Sequence, residues 1–488
     1  MALHRRHFLA STVAAGATLA ATRWASAAGD ASDIRVAVIG THGQGRGHIG
    51  KLSKNLVALC DVDSRVLAER AAEFADKNGR KLETFADYRK LLERKDIDAV
   101  SIATPNHTHS LIAIAALQAG KDVYCEKPVS HNVWEGRQLV AAARKYNRIA
   151  QCGTQSRSAK CLQDAVAYVR SGELGKILYV VGTCFKARPP IGKLDKPLVI
   201  PKSIDYNLWC GPANVEELYR PKLHYDWHWN YNTGAGDMGN QGIHQMDIAR
   251  WFLGEESVAP RTFSIGGRLG YEDAGNSANT QVVLHDYAAA PLIFETRGLP
   301  RSKAAQANWA DSMDRFRGSG VGVLVQCERG HVFSPTNYVD VYAYDRQGNE
   351  LKHWHDPDGA NRHHANWLSA IAARDAKKLN AEIHEGHLSS SLCHLGNLSH
   401  RLGAPATAAE IAEKLRGNDL LSDSFERMAG HLRANGVELD AAPGALTLGM
   451  ALDIDPVTEQ VQNNSPAMEL WKRSGRSEFT IPDLERSA

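Results

Sequence analysis

Between residues 34 and 152, short apolar runs alternate with segments of helical period, and this alternation restricts the fold more than any other feature of the chain. Runs at 34–39, 56–60, 98–103, 122–125 and 149–152 read as buried strands. After the second run, Leu67, Ala71 and Phe74 recur at helical spacing in a segment that Asp63 or Ser64 can cap and that stops near Gly79. Further helices are predicted to about Leu52, over 107–119 with Gly120 closing it, and over 133–146. Strands and helices alternating at this spacing predict an α/β fold that begins with a doubly wound parallel sheet.

The turn after the first strand reads Gly40-Thr41-His42-Gly43-Gln44-Gly45. A dinucleotide-binding turn wants G-x-G-x-x-G between strand and helix, with an acidic residue about 20 positions on. Gly40 and Gly45 fit, but His42 holds the middle place and Gly43 comes one later, so the loop must shift or tolerate a side chain. Asp61 ends the second strand, where a carboxylate can accept both ribose hydroxyls and would repel a 2′-phosphate. The pair therefore favours NAD over NADP. Thr104-Pro105-Asn106-His107 follows the strand at 98–103, at the sheet edge where such folds bind ligands. Asn106 can cap the next helix or meet a ribose.

The strand at 122–125 runs into Glu126-Lys127-Pro128, a carboxylate, an ammonium and a proline at the same carboxyl edge. Lys127 is placed to act on a ligand in the crevice; a charged strand end before a turn is the plainer alternative.

The chain is of mixed charge, with a net of +2, and no long basic run points to nucleic acid. No apolar run after the N-terminus approaches a membrane span. The N-terminus itself carries Arg5-Arg6-His7-Phe8-Leu9, a small apolar stretch at 10–21 and Ala25-Ser26-Ala27. These resemble the n-region, h-region and cleavage site of a twin-arginine signal. Residues 1–28 are thus expected to be an export signal read by the twin-arginine machinery, with a periplasmic or secreted mature protein. The eight cysteines form no C-x-x-C pair, and no disulfide framework is expected.

The glycine turn, Asp61, the T-P-N-H and E-K-P strings and residues 236–247 together resemble the Gfo/Idh/MocA family, the glucose–fructose oxidoreductase and inositol dehydrogenase group. The tail residues Thr447-Leu448-Gly449 and 479–483 resemble its exported branch. The resemblance implies an NAD(P)-binding Rossmann domain over 33–153. It also implies an α/β domain over 154–488 with a large, mostly antiparallel sheet, often used for oligomer contacts. A homo-oligomer follows as an expectation. On this likeness Gly40, His42, Gly43, Gln44, Gly45, Asp61, Thr104, Pro105, Asn106, His107, Glu126 and Lys127 hold the cofactor. Lys127 also matches the lysine that bonds the reacting hydroxyl, and its bond to Pro128 can be cis.

Past residue 158 the pattern changes to one helix, ending near Gly172, and apparent strands at 177–186, 262–267, 280–286, 292–296, 322–327 and 338–344. Several alternate polar and apolar residues, as in a one-sided antiparallel sheet. A helix carrying His244, Asp247, Ile248 and Trp251 on one face follows Gly236-Asp237-Met238-Gly239-Asn240. The family pattern there is D-x-x-x-H, and this chain has Asn240 in the carboxylate's place. Asn240 can bond a hydroxyl but cannot take a proton; His244 can. Trp227, Trp229 and Tyr231, with Asp237, are candidate sugar contacts, a packed loop being the alternative. His384, His387, His394 and His400 flank a helical leucine stripe, and no metal is expected there because no carboxylate or cysteine completes a ligand set.

Three functions fit: an oxidoreductase acting on a sugar or polyol hydroxyl with a retained cofactor, an NAD-dependent glycosidase working by transient oxidation and elimination, or a cofactor-retaining binding protein. Lys127, His244 and Asn240 are the candidate catalytic residues of the first two.

Overall fold

Six parallel strands build the first sheet of the computed structural model, which describes residues 30–309, 312–335 and 338–485. The predicted export signal lies outside these residues. The strands are β1 (Val36–Ile39), β2 (Leu56–Cys60), β3 (Glu83–Phe85), β4 (Ala99–Ile102), β5 (Asp122–Cys125) and β6 (Ala150–Cys152), in the order β3-β2-β1-β4-β5-β6. Every residue of β1, β4 and β5 is buried. Helices cover both faces, so these strands read as unbroken apolar runs. The strand order reverses between β1 and β4, which opens a crevice at their carboxyl ends.

Local chemistry sets the helix ends. Asp63 accepts from the amides of Arg65 and Val66 to start Ser64–Asn78, and Gly79 ends it at φ 66°. Asn132 accepts from Glu135 N to start Val133–Lys145. Asn106 does not cap: a 3-10 turn, Asn106–Thr108, precedes the helix His109–Gln118. The helix Gln44–Lys51 lies so close to β1 that a Cβ on Gly45 would sit 1.8 Å from the Gly40 carbonyl oxygen. Gly40 has φ +83°, and a Cβ there would meet the Ala103 carbonyl carbon at 2.7 Å.

The second sheet has eleven strands. They are β7 (Ile177–Phe185), β8 (Arg261–Gly267), β9 (Thr280–His285), β10 (Leu292–Arg297), β11 (Val321–Cys327), β12 (Gly330–Pro335), β13 (Asp340–Asp345), β14 (Glu350–His355), β15 (Ala404–Ala406), β16 (Leu446–Leu448) and β17 (Leu452–Asp453). Their order is β14-β13-β12-β11-β7-β10-β9-β8-β16-β15, with β17 also on β8; β7–β10 is the parallel pair and the other pairs are antiparallel.

One helix, Ile383–Arg401, ties the halves together. Leu388, Leu395 and Leu398 enter the core of the first sheet, while Leu392 and Cys393 enter that of the second. The last segment returns to the first domain: Leu452, Ile454, Val461, Trp471, Phe479, Ile481 and Leu484 pack into the same core as β1, β4 and β5. Leu484 N donates to Gln138 Oε1 at 2.6 Å, which pins that return. All eight cysteines are buried and unpaired.

Gly45→Ala would force the helix Gln44–Lys51 off β1, a distortion of the kind that costs about 1–3 kcal/mol. Thermal melting of the variant should show a lower Tm; a wild-type Tm would refute the packing argument.

Candidate active site

A cavity of about 380 Å³ sits at the carboxyl ends of the parallel strands, where the order reverses. Its lining includes Gly40, His42, Gly43 and Gln44 of the glycine turn, Asp61, Thr104-Pro105-Asn106, and Glu126, Lys127, Asn240 and His244. It brings together the end of β5 and a helix more than a hundred residues later.

The glycine turn solves its irregular spacing by a shift. Gly43, not residue 42, takes a positive φ, +51°, and a Cβ there would meet nothing within 4 Å. Open backbone before the first turn of Gln44–Lys51 is what a pyrophosphate requires. His42 is exposed and stacks on His224, another lining residue, with ring centres 4.9 Å apart. Asp61 Oδ2 accepts from Thr41 N at 2.7 Å and Thr41 Oγ1 at 2.9 Å, which holds the carboxylate against the turn. Asn106 Oδ1 is buried without a partner in the protein. A ribose hydroxyl would supply one, so the residues present fit a dinucleotide.

Glu126, just after β5, is 5% exposed. His48 Nε2 lies 3.0 Å from Glu126 Oε1, Gln44 Nε2 donates to the same oxygen at 3.3 Å, and Lys127 N donates to Oε2 at 3.2 Å. Gly153, just after β6, leaves room: a Cβ there would be 2.9 Å from the carboxylate carbon. Burial opposes ionisation, but the His48 hydrogen bond and the nearby cations outweigh it and hold Glu126 below the usual carboxylate range. Lys127 is pushed below the ordinary lysine value by burial, with Glu126 opposing the shift. Its bond to Pro128 is cis.

Lys127 Nζ donates to the backbone carbonyl of Asn240 at 2.6 Å. That carbonyl lies in a π-helical turn, Met238–Gly242, which leads directly into the helix Ile243–Leu253. Such turns disturb the regular ladder and recur at functional sites. Asn240 therefore sits within the turn rather than at a helix N-cap. His244 follows on the same helical stretch and is 6% exposed. Burial first, then the Lys127 charge, push it down to about 3, so it is a neutral imidazole at physiological pH.

A segment from the second domain covers the cofactor end. Ser64 N donates to Ser203 O at 2.8 Å and Asp205 N to Val62 O at 3.0 Å, just beyond β2. His224 Nε2 reaches Asp63 Oδ2 at 3.1 Å. Ile204, Trp209, Cys210, Leu218 and Leu223 form a small core of their own, with Val62 and Trp227 against it. Trp209, His224, Tyr225, Trp227 and His228 all line the cavity. Of these, Trp227 and His228 lie in the aromatic run 227–232 that stands out in the sequence. Trp209, His224 and Tyr225, the last at φ 67° just before that run, come from a stretch without periodic signal.

Other expected site residues lie elsewhere. His107 does not line the cavity: it is fully buried, bonded to Thr233 O at 3.1 Å and Trp209 O at 2.7 Å, and it holds the cover to the first domain. Gly45 faces Gly40 and serves packing. Asp237 is buried in a two-point ion pair with Arg188, at 2.9 and 2.6 Å, and Arg188 lies 5.0 Å over the Trp229 ring. Both are thereby committed to the second domain. Tyr231 lies under Arg401, 5.0 Å from its ring centre and outside this cavity. Along Ile383–Arg401, His387 pairs with Glu459 and His394 reaches Ser130 O.

Residues 34–154 match the family model described as oxidoreductase family, NAD-binding Rossmann fold, and residues 180–296 match that described as oxidoreductase family, C-terminal alpha/beta domain. The chain belongs to the Gfo/Idh/MocA family, and its first domain is the NAD-binding one. It is 28% identical over 206 residues to levoglucosan dehydrogenase from Pseudarthrobacter phenanthrenivorans, covering 42% of this chain and 44% of that protein. To inositol 2-dehydrogenase from Salmonella typhimurium it is 30% identical over 229 residues, 46% of this chain and 55% of that one. The chain thus spans about half the length of the curated relatives it matches. The solved levoglucosan dehydrogenase complex with NADH and levoglucosan superposes at TM-score 0.56 and 18% identity, over 74% of this chain and 96% of that one. The Bordetella pertussis WlbA dehydrogenase complex with NADH and UDP-GlcNAcA gives 0.55 and 18%, over 76% and 97%. These two likenesses are of fold.

Burial pushes His107, His228, His244, His285 and His394 down to about 3. Unfolding returns each toward about 6.5. Between those values the unfolded chain binds more protons, so stability rises with pH there. Melting curves should show Tm falling as pH is lowered from about 7 to about 5; a Tm that held steady or rose would mean the rings are charged in the folded protein.

Proposed function

We propose that this protein is an exported oxidoreductase acting on a hydroxyl of a sugar or polyol, with its NAD retained between turnovers. The observation that carries the reading is the meeting of Lys127 and His244 in one cavity that is also lined by the open Gly43 backbone and Asp61. Bound NAD would supply a hydride acceptor. The Asn240 carbonyl holds Lys127 Nζ at the cavity wall, where the ammonium can orient a hydroxyl and stabilise the alkoxide formed from it. His244, neutral and buried, is suited to take the hydroxyl proton. Asn240 offers its side chain as a hydrogen-bond partner but takes no proton, so the imidazole works without a carboxylate one turn before it. Asp61 favours NAD over NADP.

Retention is supported by the cover, which is bonded to the first domain by backbone bonds on both sides of Asp63. The Arg5-Arg6 signal pattern points the same way, since a protein working outside the cytoplasm has little free NAD to draw on. A covered cofactor also favours a second reading, glycoside cleavage by transient oxidation with no net change in the cofactor.

Mass spectrometry of nucleotide released by denaturing the purified, exported protein should find NAD; finding none would sink retention. A dehydrogenase should then give ketosugar or NADH from a sugar screen, whereas a glycosidase should release reducing sugar from aryl glycosides without NADH. Lys127→Ala and His244→Ala should each lower turnover about 10²–10⁴-fold. Wild-type turnover in either variant would overturn the assignment. Arg5→Lys with Arg6→Lys should leave the protein in the cytoplasm; unimpaired export would refute the twin-arginine reading.

A further inference from the structure

Away from the cavity, three metal-ligating side chains of mixed type converge on the terminal strand pair of the large sheet. β13 and β14 pair in a register that sets Asp340 opposite His355 and Tyr342 opposite His353. Residues two apart on a strand share a face, so His353 and His355 rise together from β14 beside Asp340. Asp340 Oδ1 lies 2.7 Å from His353 Nε2 and 2.8 Å from His355 Nδ1. Ligand atoms of all three lie within 4.8 Å of one another. The Tyr342 ring stacks on His353 with centres 4.3 Å apart and planes 10° from parallel, which fixes that imidazole's orientation. Side-chain exposures of 16% for Asp340, 37% for His353 and 56% for His355 give an ion a direct path from solution.

Two imidazole nitrogens and one carboxylate oxygen make a donor set suited to zinc and its late first-row neighbours rather than to calcium or magnesium, which want oxygen. Donors bound tetrahedrally to zinc at about 2.0–2.2 Å stand roughly 3.4 Å apart. The N–O separations here are shorter, so binding asks only for small imidazole rotations that open the triangle. Each neutral ring then carries its proton on the nitrogen facing away from the ion, and water completes the coordination. The strand that would be held is one that needs holding: β14 is a terminal strand, and every residue of it but Trp354 is exposed.

We propose that Asp340, His353 and His355 form a site for a divalent late transition-metal ion that clamps the terminal strand β14 to β13. The full mature chain, purified without a polyhistidine tag and stripped with EDTA, should bind about one Zn²⁺ saturably in calorimetry near neutral pH. His353→Ala and His355→Ala should each weaken binding at least about tenfold, and the double variant should lose it. Zn²⁺ should raise the Tm of the wild type but not of the double variant. Because both imidazoles are exposed, the EDTA-stripped variants should melt as the stripped wild type does; His353→Gln, which keeps a planar group over Tyr342, gives a second reading of the same loss. No saturable binding, or equal affinity in the double variant, would overturn the site. A wild-type Tm unmoved at saturating Zn²⁺ would overturn the clamp.

Discussion

The buried Glu126 carboxylate is the constraint on which the rest of the site depends. It takes bonds from His48 and Gln44 on the first helix and from the Lys127 amide at the end of β5. Room for it exists because the residue after β6 is Gly153. A single charge thus joins three neighbouring pieces of the parallel sheet, and those pieces carry the phosphate turn and the lysine. His48 Nδ1 in turn lies 2.9 Å from Ser101 Oγ on β4, which extends the network across the strand-order reversal. Removing a partner from a buried charge leaves the other uncompensated, so such networks tolerate little change. Lys127 inherits its position from this arrangement below and from the Asn240 carbonyl above.

That upper contact shows how the second domain takes part. A regular helix would engage the carbonyl of Asn240 in its own ladder. The π-helical turn disturbs that ladder, and the carbonyl receives the lysine. Asp237, three residues earlier, is fixed by Arg188 and so anchors the start of the turn to the sheet side of the domain. The acidic residue near the histidine is therefore structural, and the polar group nearest the lysine is a backbone oxygen. Proton transfer and lysine placement are thus assigned to different elements.

Much of the first domain was legible in the sequence because its central strands are buried on both faces and its helix ends carry explicit chemistry in Asp63, Gly79 and Gly120. Six strands of the second sheet were also legible within a residue or two. β14 was not, since a terminal strand with Glu350, Leu351, Lys352 and His353 all exposed has no alternation to read. The cover was not legible either: His224 and Trp209 reach the cavity through contacts with Asp63 and His107, far away in the chain. Asp61 and Lys127 could be placed because each ends a buried strand. Trp229, Asp237 and Tyr231 could not, because an aromatic or acidic residue in a loop looks the same whether it faces a ligand or an arginine.

The return of the last segment to the first domain bears on how the chain is made. Residues 452–484 supply part of the apolar interior around β1, β4 and β5. During synthesis, the N-terminal half leaves the ribosome with that surface uncovered and waits for the final residues before its core can close. Contacts so distant in sequence form late. A nascent chain or a C-terminally shortened product therefore shows its incompleteness as exposed apolar surface on the cofactor-binding domain, the kind of surface that chaperones and proteases recognise.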